Sequence, residues 1–129
     1  MAATRIVLVD DDDLLAELLR VNFETDERFD LVGRARNGAE GIELVEELGP
    51  DAVLMDLHMP LVGGIEATRL LIAADPDACV IAFTSSRDAG ELAQARAAGA
   101  AAVLEKPFDP QPFLDAVAEH AHDCRLRAA

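Results

Sequence analysis

Short apolar runs alternate along this chain with longer segments whose apolar residues recur at helical spacing. Each apolar run has the length of a buried strand, and a segment with a helical period follows each one. The predicted strands cover residues 6–9, 29–35, 52–55, 79–83 and 101–104. The predicted helices start at residue 12 or 13 and then cover 39–48, 65–74, 88–98 and 110 to about 122. The chain therefore repeats the order strand–helix five times.

The apolar runs contain no regular alternation with polar residues, which indicates strands that are buried on both faces. Such strands form parallel sheets with helices packed on each side. Right-handed crossovers then give an α/β fold with a doubly wound five-stranded parallel sheet. No internal repeat and no linker interrupts the pattern. We expect a single domain over residues 1–129, with its core at about 4–123.

The composition narrows the function classes. The 129 residues carry a formal net charge of −14 and no run of Lys and Arg, which argues against direct nucleic-acid binding by this domain. No apolar stretch approaches the roughly 20 residues of a membrane span, and the N-terminus does not resemble a signal peptide.

Cys79 lies in an apolar run and is expected to be buried, whereas Cys124 is expected to be exposed. Without a disulfide framework, these cysteines predict a reducing cytoplasm.

Polar side chains follow four of the five predicted strands. Asp10 and Asp11 follow the first strand, Asp56 the third, Thr84 the fourth and Lys106 the fifth. The carboxyl ends of parallel strands meet at one edge of a sheet, where such folds bind their ligands. These side chains are far apart in the sequence, yet the topology predicts that they share one pocket.

The chemistry of this set points to phosphoryl transfer. Three carboxylates in one pocket repel one another, so either one is protonated or a cation is bound. Oxygen ligands favour Mg²⁺, and a carboxylate beside Mg²⁺ can attack a phosphoryl group to form an acyl phosphate. Lys106, the only lysine of the chain, would neutralise charge on the transferring group, and Thr84 would offer it a hydroxyl.

The chain resembles, over almost its whole length, the receiver domain of bacterial two-component response regulators. Any one of the matching motifs is a weak signal, but all of them occur in the family's order. They are the acidic pair after the first strand, residues 51–60 around Asp56, the Gly63-Gly64 turn, Phe83-Thr84-Ser85 and Lys106-Pro107-Phe108. The resemblance implies a flavodoxin-like sheet with the strand order 2-1-3-4-5.

The resemblance also implies roles for the acidic residues. Asp56 would be the phosphoacceptor. Asp11, Asp56 and the main-chain carbonyl of His58 would be direct Mg²⁺ ligands. Asp10 would help to place the metal, commonly through water.

Thr84 and Lys106 would bind the phosphoryl group, and the peptide before Pro107 is often cis in this family. The family's partners are a sensor histidine kinase and a downstream output domain or protein. A homodimer of this domain through the face made by the fourth helix, fifth strand and fifth helix is a further expectation. Such a domain catalyses only its own phosphorylation and dephosphorylation, and contacts neither nucleic acid nor membrane.

Two other functions stay open at this point. Many receivers carry Tyr or Phe three residues before the lysine, where this chain has Val103, so a receiver that acts as a phosphorylation-independent interaction module is one alternative. The other is an aspartyl-phosphate phosphatase of the haloacid dehalogenase type. That class needs a second Asp two residues after the nucleophile, where this chain has His58. The chain either stands alone or is the N-terminal domain of a longer transcriptional regulator.

Overall fold

The computed structural model describes residues 2–106 and 109–128 and contains one parallel sheet. Its five strands lie in the order β2-β1-β3-β4-β5, which confirms the predicted fold. The strands are β1 (Thr4–Val9), β2 (Phe29–Ala35), β3 (Ala52–Asp56), β4 (Val80–Thr84) and β5 (Ala102–Glu105). Their bounds differ from the predicted ones by at most two residues.

The helices follow the strands as predicted. They are α1 (Asp13–Glu24), α2 (Gly38–Leu48), α3 (Gly64–Ala74), α4 (Ala89–Ala97) and α5 (Pro110–Ala128). The last helix continues well beyond the predicted end near residue 122, because the sequence after it holds no Gly or Pro to stop it. The Lys106–Pro107 peptide lies outside the described residues. Within the described part of the chain, no helix is long and apolar enough to cross a membrane.

The sheet has helices on both faces, which explains the continuous apolar runs. In β1, Ile6 and Leu8 pack into the cluster formed with α1 and α5. The alternate residues Val7 and Val9 pack into the cluster on the opposite face, formed with α2 and α3. Successive side chains of a strand point to opposite faces, so every residue of a strand covered on both sides must be apolar.

Only part of the leucine pattern of α1 lies on its buried face. Ala16, Leu19 and Phe23 are the buried residues of the helix. Leu14 is 86% exposed and Leu18 is 48% exposed, although both follow a helical period. The spacing therefore predicted the helix correctly, but the side that faces the sheet is set by Phe23, which packs edge-on against Phe29 of β2.

The expectation that the chain has no disulfide was wrong. Cys79 and Cys124 form a disulfide, with Cα atoms 5.8 Å apart. Cys79 is buried as predicted, but Cys124 is buried too, and the prediction that it is exposed was wrong. The reason is the greater length of α5, which places Cys124 one turn after the buried Ala121 and on the same face of the helix.

Gly64 begins α3 at a point of very close backbone approach. A Cβ atom at this position would lie 2.7 Å from the Cα of Leu57 and closer still to the carbonyl oxygen of Asp56. Both are backbone atoms, which cannot move aside as the end of a side chain can. The neighbouring Gly63 is different, since a Cβ there would meet only the carbonyl oxygen of Leu57, at 3.7 Å.

We predict that Gly64→Ala lowers the free energy of unfolding by about 3 kcal/mol, the upper part of the range for overpacking. Gly63→Ala should change it by less than about 1 kcal/mol, because the added methyl group fits and the helix only loses a favourable cap residue. Urea unfolding of both variants checks the difference. Equal effects of the two substitutions would contradict the proposed close approach.

Candidate functional site

The carboxyl ends of four strands bring the predicted polar residues to one edge of the sheet. Asp10 directly follows β1, Asp56 ends β3 and Thr84 ends β4. The register places Asp56 beside Phe83 and Thr84 beside Glu105. Lys106 follows β5, and its backbone N–H donates to the carbonyl oxygen of Thr84 at 2.8 Å. The parallel topology thus brings these four side chains to the same edge of the sheet.

Three carboxylates form the acidic part of the site. One oxygen from each of Asp10, Asp11 and Asp56 lies within 4.8 Å of the others. Asp10 is fully buried and Asp56 is 4% exposed, whereas Asp11 is exposed. The cluster therefore has an inner wall of two buried carboxylates and one side that opens to solvent.

Burial raises the pKa of the Asp10 carboxyl to about 6, from an ordinary value of 3.8. The N–H of Asp12, which donates to Asp10 Oδ1 at 2.9 Å, and the nearby Lys106 ammonium both oppose this rise. The carboxylate of Asp56 adds to it. Among the described residues, Asp10 Oδ2 is buried without a hydrogen-bond partner.

A divalent cation fits this arrangement. A buried carboxylate oxygen without a hydrogen bond is costly, and a cation held by several carboxylates would remove that cost. The donors are all oxygen atoms, which suits Mg²⁺. Asp10, Asp11 and Asp56 are thus the residues that could hold such an ion.

Lys106 supplies the positive charge of the site. Its Nζ lies 3.3 Å from Asp56 Oδ1 and 3.7 Å from Asp10 Oδ2. The same ammonium lies 4.5 Å from the centre of the Phe83 ring, a cation–π contact that the sequence reasoning missed. The ring is buried in β4, and it holds the lysine side chain over the carboxylates.

Thr84 is buried, with its hydroxyl at the carboxyl end of β4. Thr84 Oγ1 accepts a hydrogen bond from the N–H of Ser86 at 3.1 Å. A hydroxyl that accepts one hydrogen bond keeps its own proton to donate. Thr84 can therefore offer that proton to an oxygen atom bound near Lys106.

His58 has two polar contacts, and the one made by its side chain was not foreseen. Its backbone N–H donates to Asp56 Oδ1 at 3.3 Å. Its imidazole Nε2 lies 2.5 Å from Glu91 Oε1 of α4, and the other oxygen of Glu91 accepts from Ser86 Oγ at 3.2 Å. Nothing in the sequence indicated Glu91, because the placement of α4 against the loop after β3 depends on tertiary packing.

Arg34 is a second residue that the sequence reasoning missed. Its guanidinium donates twice to the carbonyl oxygen of Asp10, at 3.1 and 2.7 Å, and once to Asp13 Oδ1 at 2.9 Å. The hydrogen bonds from Arg34 and Arg36 lower the pKa of Asp13. Arg34 thus fixes the backbone that carries the acidic pair, although it does not touch their carboxylates.

Val103 lies next to the site in β5. It packs at the edge of a small cluster with Leu57, Ala82 and Ala95. Together with Thr84 and Ser86, it also lines a shallow cleft between α4 and β5. The structure thus has a small aliphatic side chain where the resembling domains often carry an aromatic ring.

Comparisons with known proteins agree with this fold. Residues 6–118 match the response regulator receiver domain family. A chemotaxis protein CheY of Halobacterium salinarum is 37% identical over 91% of this chain and 96% of its own length. The transcriptional regulatory protein LnrK of Bacillus subtilis is 35% identical over 88% of this chain, which spans 51% of the regulator. A LuxR-family two-component response regulator from Aurantimonas superposes with a TM-score of 0.88 and 33% identity, over 94% of this chain and 86% of that one.

The raised pKa of Asp10 predicts a pH effect on stability in metal-free buffer. The folded protein binds this proton more tightly than the unfolded chain does, since the pKa is about 6 in the fold and 3.8 ordinarily. The contribution of Asp10 to the free energy of unfolding should therefore fall between about pH 4 and pH 6.5, by roughly 3 kcal/mol. Urea unfolding with a chelator, over this pH range, measures the effect.

Asp10→Asn should remove this part of the pH dependence, because the amide does not titrate. Asp30→Asn is the matched control, since Asp30 is an exposed carboxylate on β2. Excess Mg²⁺ should raise the stability of the native sequence above pH 6 but not that of Asp10→Asn to the same extent. A wild-type pH profile in Asp10→Asn would rule out Asp10 as the source.

Proposed function

This chain belongs to the response regulator receiver domain family, and we propose that Asp56 accepts a phosphoryl group as the input step of its two-component signalling function. The observation that most supports Asp56 is the 3.3 Å contact between its Oδ1 and the Nζ of the single lysine of the chain. A buried carboxylate beside a fixed ammonium and two further carboxylates has both a nucleophilic oxygen and the means to bind a phosphoryl group.

In the proposed reaction, an Asp56 carboxylate oxygen attacks phosphorus and forms the acyl phosphate bond. The bond from phosphorus to the donor breaks, and the donor keeps the electron pair. Asp10, Asp11, Asp56 and the carbonyl oxygen of His58 would hold Mg²⁺, which supplies positive charge beside the transferring group when bound. The burial of Asp10 and Asp56 excludes bulk water from the inner side of the site.

Lys106 and Thr84 would bind the phosphoryl oxygens. The Lys106 ammonium contacts the ring of Phe83. The backbone N–H of Lys106 donates to the carbonyl oxygen of Thr84, which fixes the start of the lysine side chain. The ammonium therefore needs little reorganisation when charge moves onto the phosphoryl group. Thr84 would donate its hydroxyl proton, and the backbone hydrogen bond from Lys106 to Thr84 links the two residues.

We further propose the setting in which this site works. Residues 1–129 would form one receiver domain, with its core at about 4–123. The chain spans about half the length of the transcriptional regulator it matches, and nearly all of the chemotaxis protein. These relatives support a domain that either stands alone or is N-terminal to an output domain of a longer regulator.

The proposed partners are a sensor histidine kinase as phosphodonor and a downstream output domain or protein. A homodimer through the face of α4, β5 and α5 is also proposed. The domain would act in the cytoplasm without direct contact with nucleic acid or membrane. It would catalyse only its own phosphorylation and dephosphorylation.

Two alternatives have less support. An aspartyl-phosphate phosphatase needs an acid two residues after its nucleophile, and His58 occupies that position with its imidazole bound to Glu91. A phosphorylation-independent interaction module would not need the buried carboxylates and the ammonium that face them. Keeping Asp10 ionised in a buried position costs stability, and a module without phosphoryl chemistry gains nothing from that cost.

We predict that incubation with Mg²⁺ and acetyl phosphate adds one phosphoryl group to the protein, as measured by intact mass. Asp56→Asn should abolish the gain, because the amide oxygen is a poor nucleophile. Asp51→Asn, which removes an exposed carboxylate just before β3, should keep it. A folded native protein that gains no mass would overturn the proposed function, and rapid turnover of phosphate esters would support the phosphatase alternative.

Lys106→Gln should slow phosphorylation of Asp56 by roughly 100-fold, the size expected when one charged donor to the transition state is lost. The amide keeps part of the side-chain volume but not the charge. Arg87→Gln is the control, because Arg87 is 85% exposed and pairs with Glu105 outside the acidic cluster. The initial rate of mass gain measures both variants, and similar rates would exclude the proposed role of Lys106.

A further inference from the structure

The disulfide lies at the end of the sheet opposite the acidic site. Cys79 immediately precedes β4, whose other end carries Thr84. Cys124 lies near the end of α5, five residues before the last residue of the chain. The bond thus joins two segments that are 45 residues apart in sequence. None of the phosphoryl chemistry proposed above uses either sulfur atom.

We propose that Cys79 and Cys124 form a reversible redox site, which fixes the last turns of α5 when oxidised and releases them when reduced. The partner in the reaction is a low-molecular-weight thiol and its disulfide. The thiol chemistry does not depend on the proposed function. That function enters only through the cytoplasmic location, because cytoplasmic disulfides are usually transient and redox-sensing rather than permanent.

The packing of α5 supports this release. Up to Ala121 the helix is held by buried side chains, which are Phe113, Leu114, Val117 and Ala121. Beyond Ala121, Cys124 is the only buried residue in the described part of the helix, and Leu126 is 63% exposed. A helix end without buried contacts is only marginally stable. The Cys124 sulfur atom is therefore the main attachment of this segment.

The surroundings of Cys124 favour thiol exchange. Cys124 lines a cleft of about 360 Å³ between the end of α5 and residues 76–78, which precede Cys79. The guanidinium of Arg127 lines the same cleft and donates to Cys124 Sγ at 3.5 Å. A cation at this distance stabilises a thiolate, both on Cys124 and on an incoming small thiol. Asp77 also lines the cleft and acts in the opposite sense, but Arg127 is the residue in contact with the sulfur.

The exchange balances as two displacement steps. The thiolate of the small thiol attacks Cys124 Sγ, the disulfide bond breaks, and Cys79 leaves as a thiolate that takes up a proton. A second small thiolate then attacks the outer sulfur of the mixed disulfide, and Cys124 leaves as the thiolate beside Arg127. Two electrons pass to the protein, and two small thiols become one disulfide. Oxidation of the protein is the reverse sequence.

Only the end of α5 should respond to this change. The buried side chains from Phe113 to Ala121 belong to a core cluster that includes residues of β1, β3 and β4 as well as Cys79 and Cys124. We expect these apolar contacts to persist when the S–S bond is broken. The acidic site lies at the opposite ends of the strands. Reduction should therefore free the segment after Ala121 and leave both the core and the phosphoryl site in place.

Hydrogen exchange of the whole chain in glutathione buffers tests the proposal, with alkylation and intact mass reporting the thiol state. We expect the amides of residues 122–128 to exchange at least about tenfold faster in the reduced protein, as expected for a frayed helix end. The amides of β4 and β1 should be unchanged, and oxidised glutathione should restore the slow exchange. Asp56→Asn should respond in the same way, which separates this result from the phosphorylation test.

The double variant Cys79→Ser with Cys124→Ser should exchange like the reduced protein and ignore glutathione. If the buried serine hydroxyls unfold the double serine variant, the double alanine variant replaces it. The reduced native protein provides the same comparison between bonded and unbonded cysteines without any substitution. Arg127→Gln should slow reduction several-fold. Three outcomes would each overturn the switch: a native disulfide that resists excess dithiothreitol, reduced thiols that never pair again, or equal exchange of residues 122–128 in both states.

Discussion

The charge balance between Lys106 and the two buried carboxylates is the constraint on which the rest of the structure depends. Asp10 and Asp56 are both removed from water, and a single ammonium lies 3.7 and 3.3 Å from their oxygens. Burial raises the pKa of Asp10, the neighbouring Asp56 carboxylate adds to the rise, and the Lys106 ammonium only partly opposes it. The site is thus set up to gain stability from a cation, and it holds the electrostatic means to bind a phosphoryl group once a cation is present.

This arrangement requires the parallel sheet and several close backbone contacts. The carboxylates and Thr84 come from three strand ends, so only strands running in the same direction can place them together. Gly64 lets the loop after Asp56 turn back against the backbone of Leu57, where a Cβ atom would collide. Arg34 fixes the carbonyl of Asp10 from β2. The stability of the fold and the geometry of the site are therefore tied to the same backbone positions.

The sequence predicted the features that depend on local pattern. The buried strands and the polar residues after them predicted that Asp10, Asp56, Thr84 and Lys106 lie at one edge of the sheet. This was possible because the topology of a parallel sheet alone brings the strand ends together. The features it missed depend on how separate elements pack. The contact of Glu91 with His58 follows from the position of α4, and the cation–π contact follows from the rotamer of Lys106. The disulfide was missed because the pattern predicts that α5 ends near residue 122, before Cys124, whereas the helix continues to Ala128.

Val103 limits how strongly phosphorylation of Asp56 could alter the conformation of the surface around β5. Moving a valine between exposed and buried positions changes much less apolar area than moving an aromatic ring does. A movement of Val103 would therefore only slightly change the relative populations of two conformations of the face formed by α4, β5 and α5. A second connection does not depend on the size of Val103. Ser86 hydrogen-bonds both the buried hydroxyl of Thr84 and the carboxylate of Glu91, and so joins Thr84 to α4. If Thr84 turns its hydroxyl toward a phosphoryl oxygen, the hydrogen bond from Ser86 must adjust, and Glu91 holds both Ser86 and His58. In this chain hydrogen bonds therefore join α4 to Thr84, the residue that ends β4 beside Lys106.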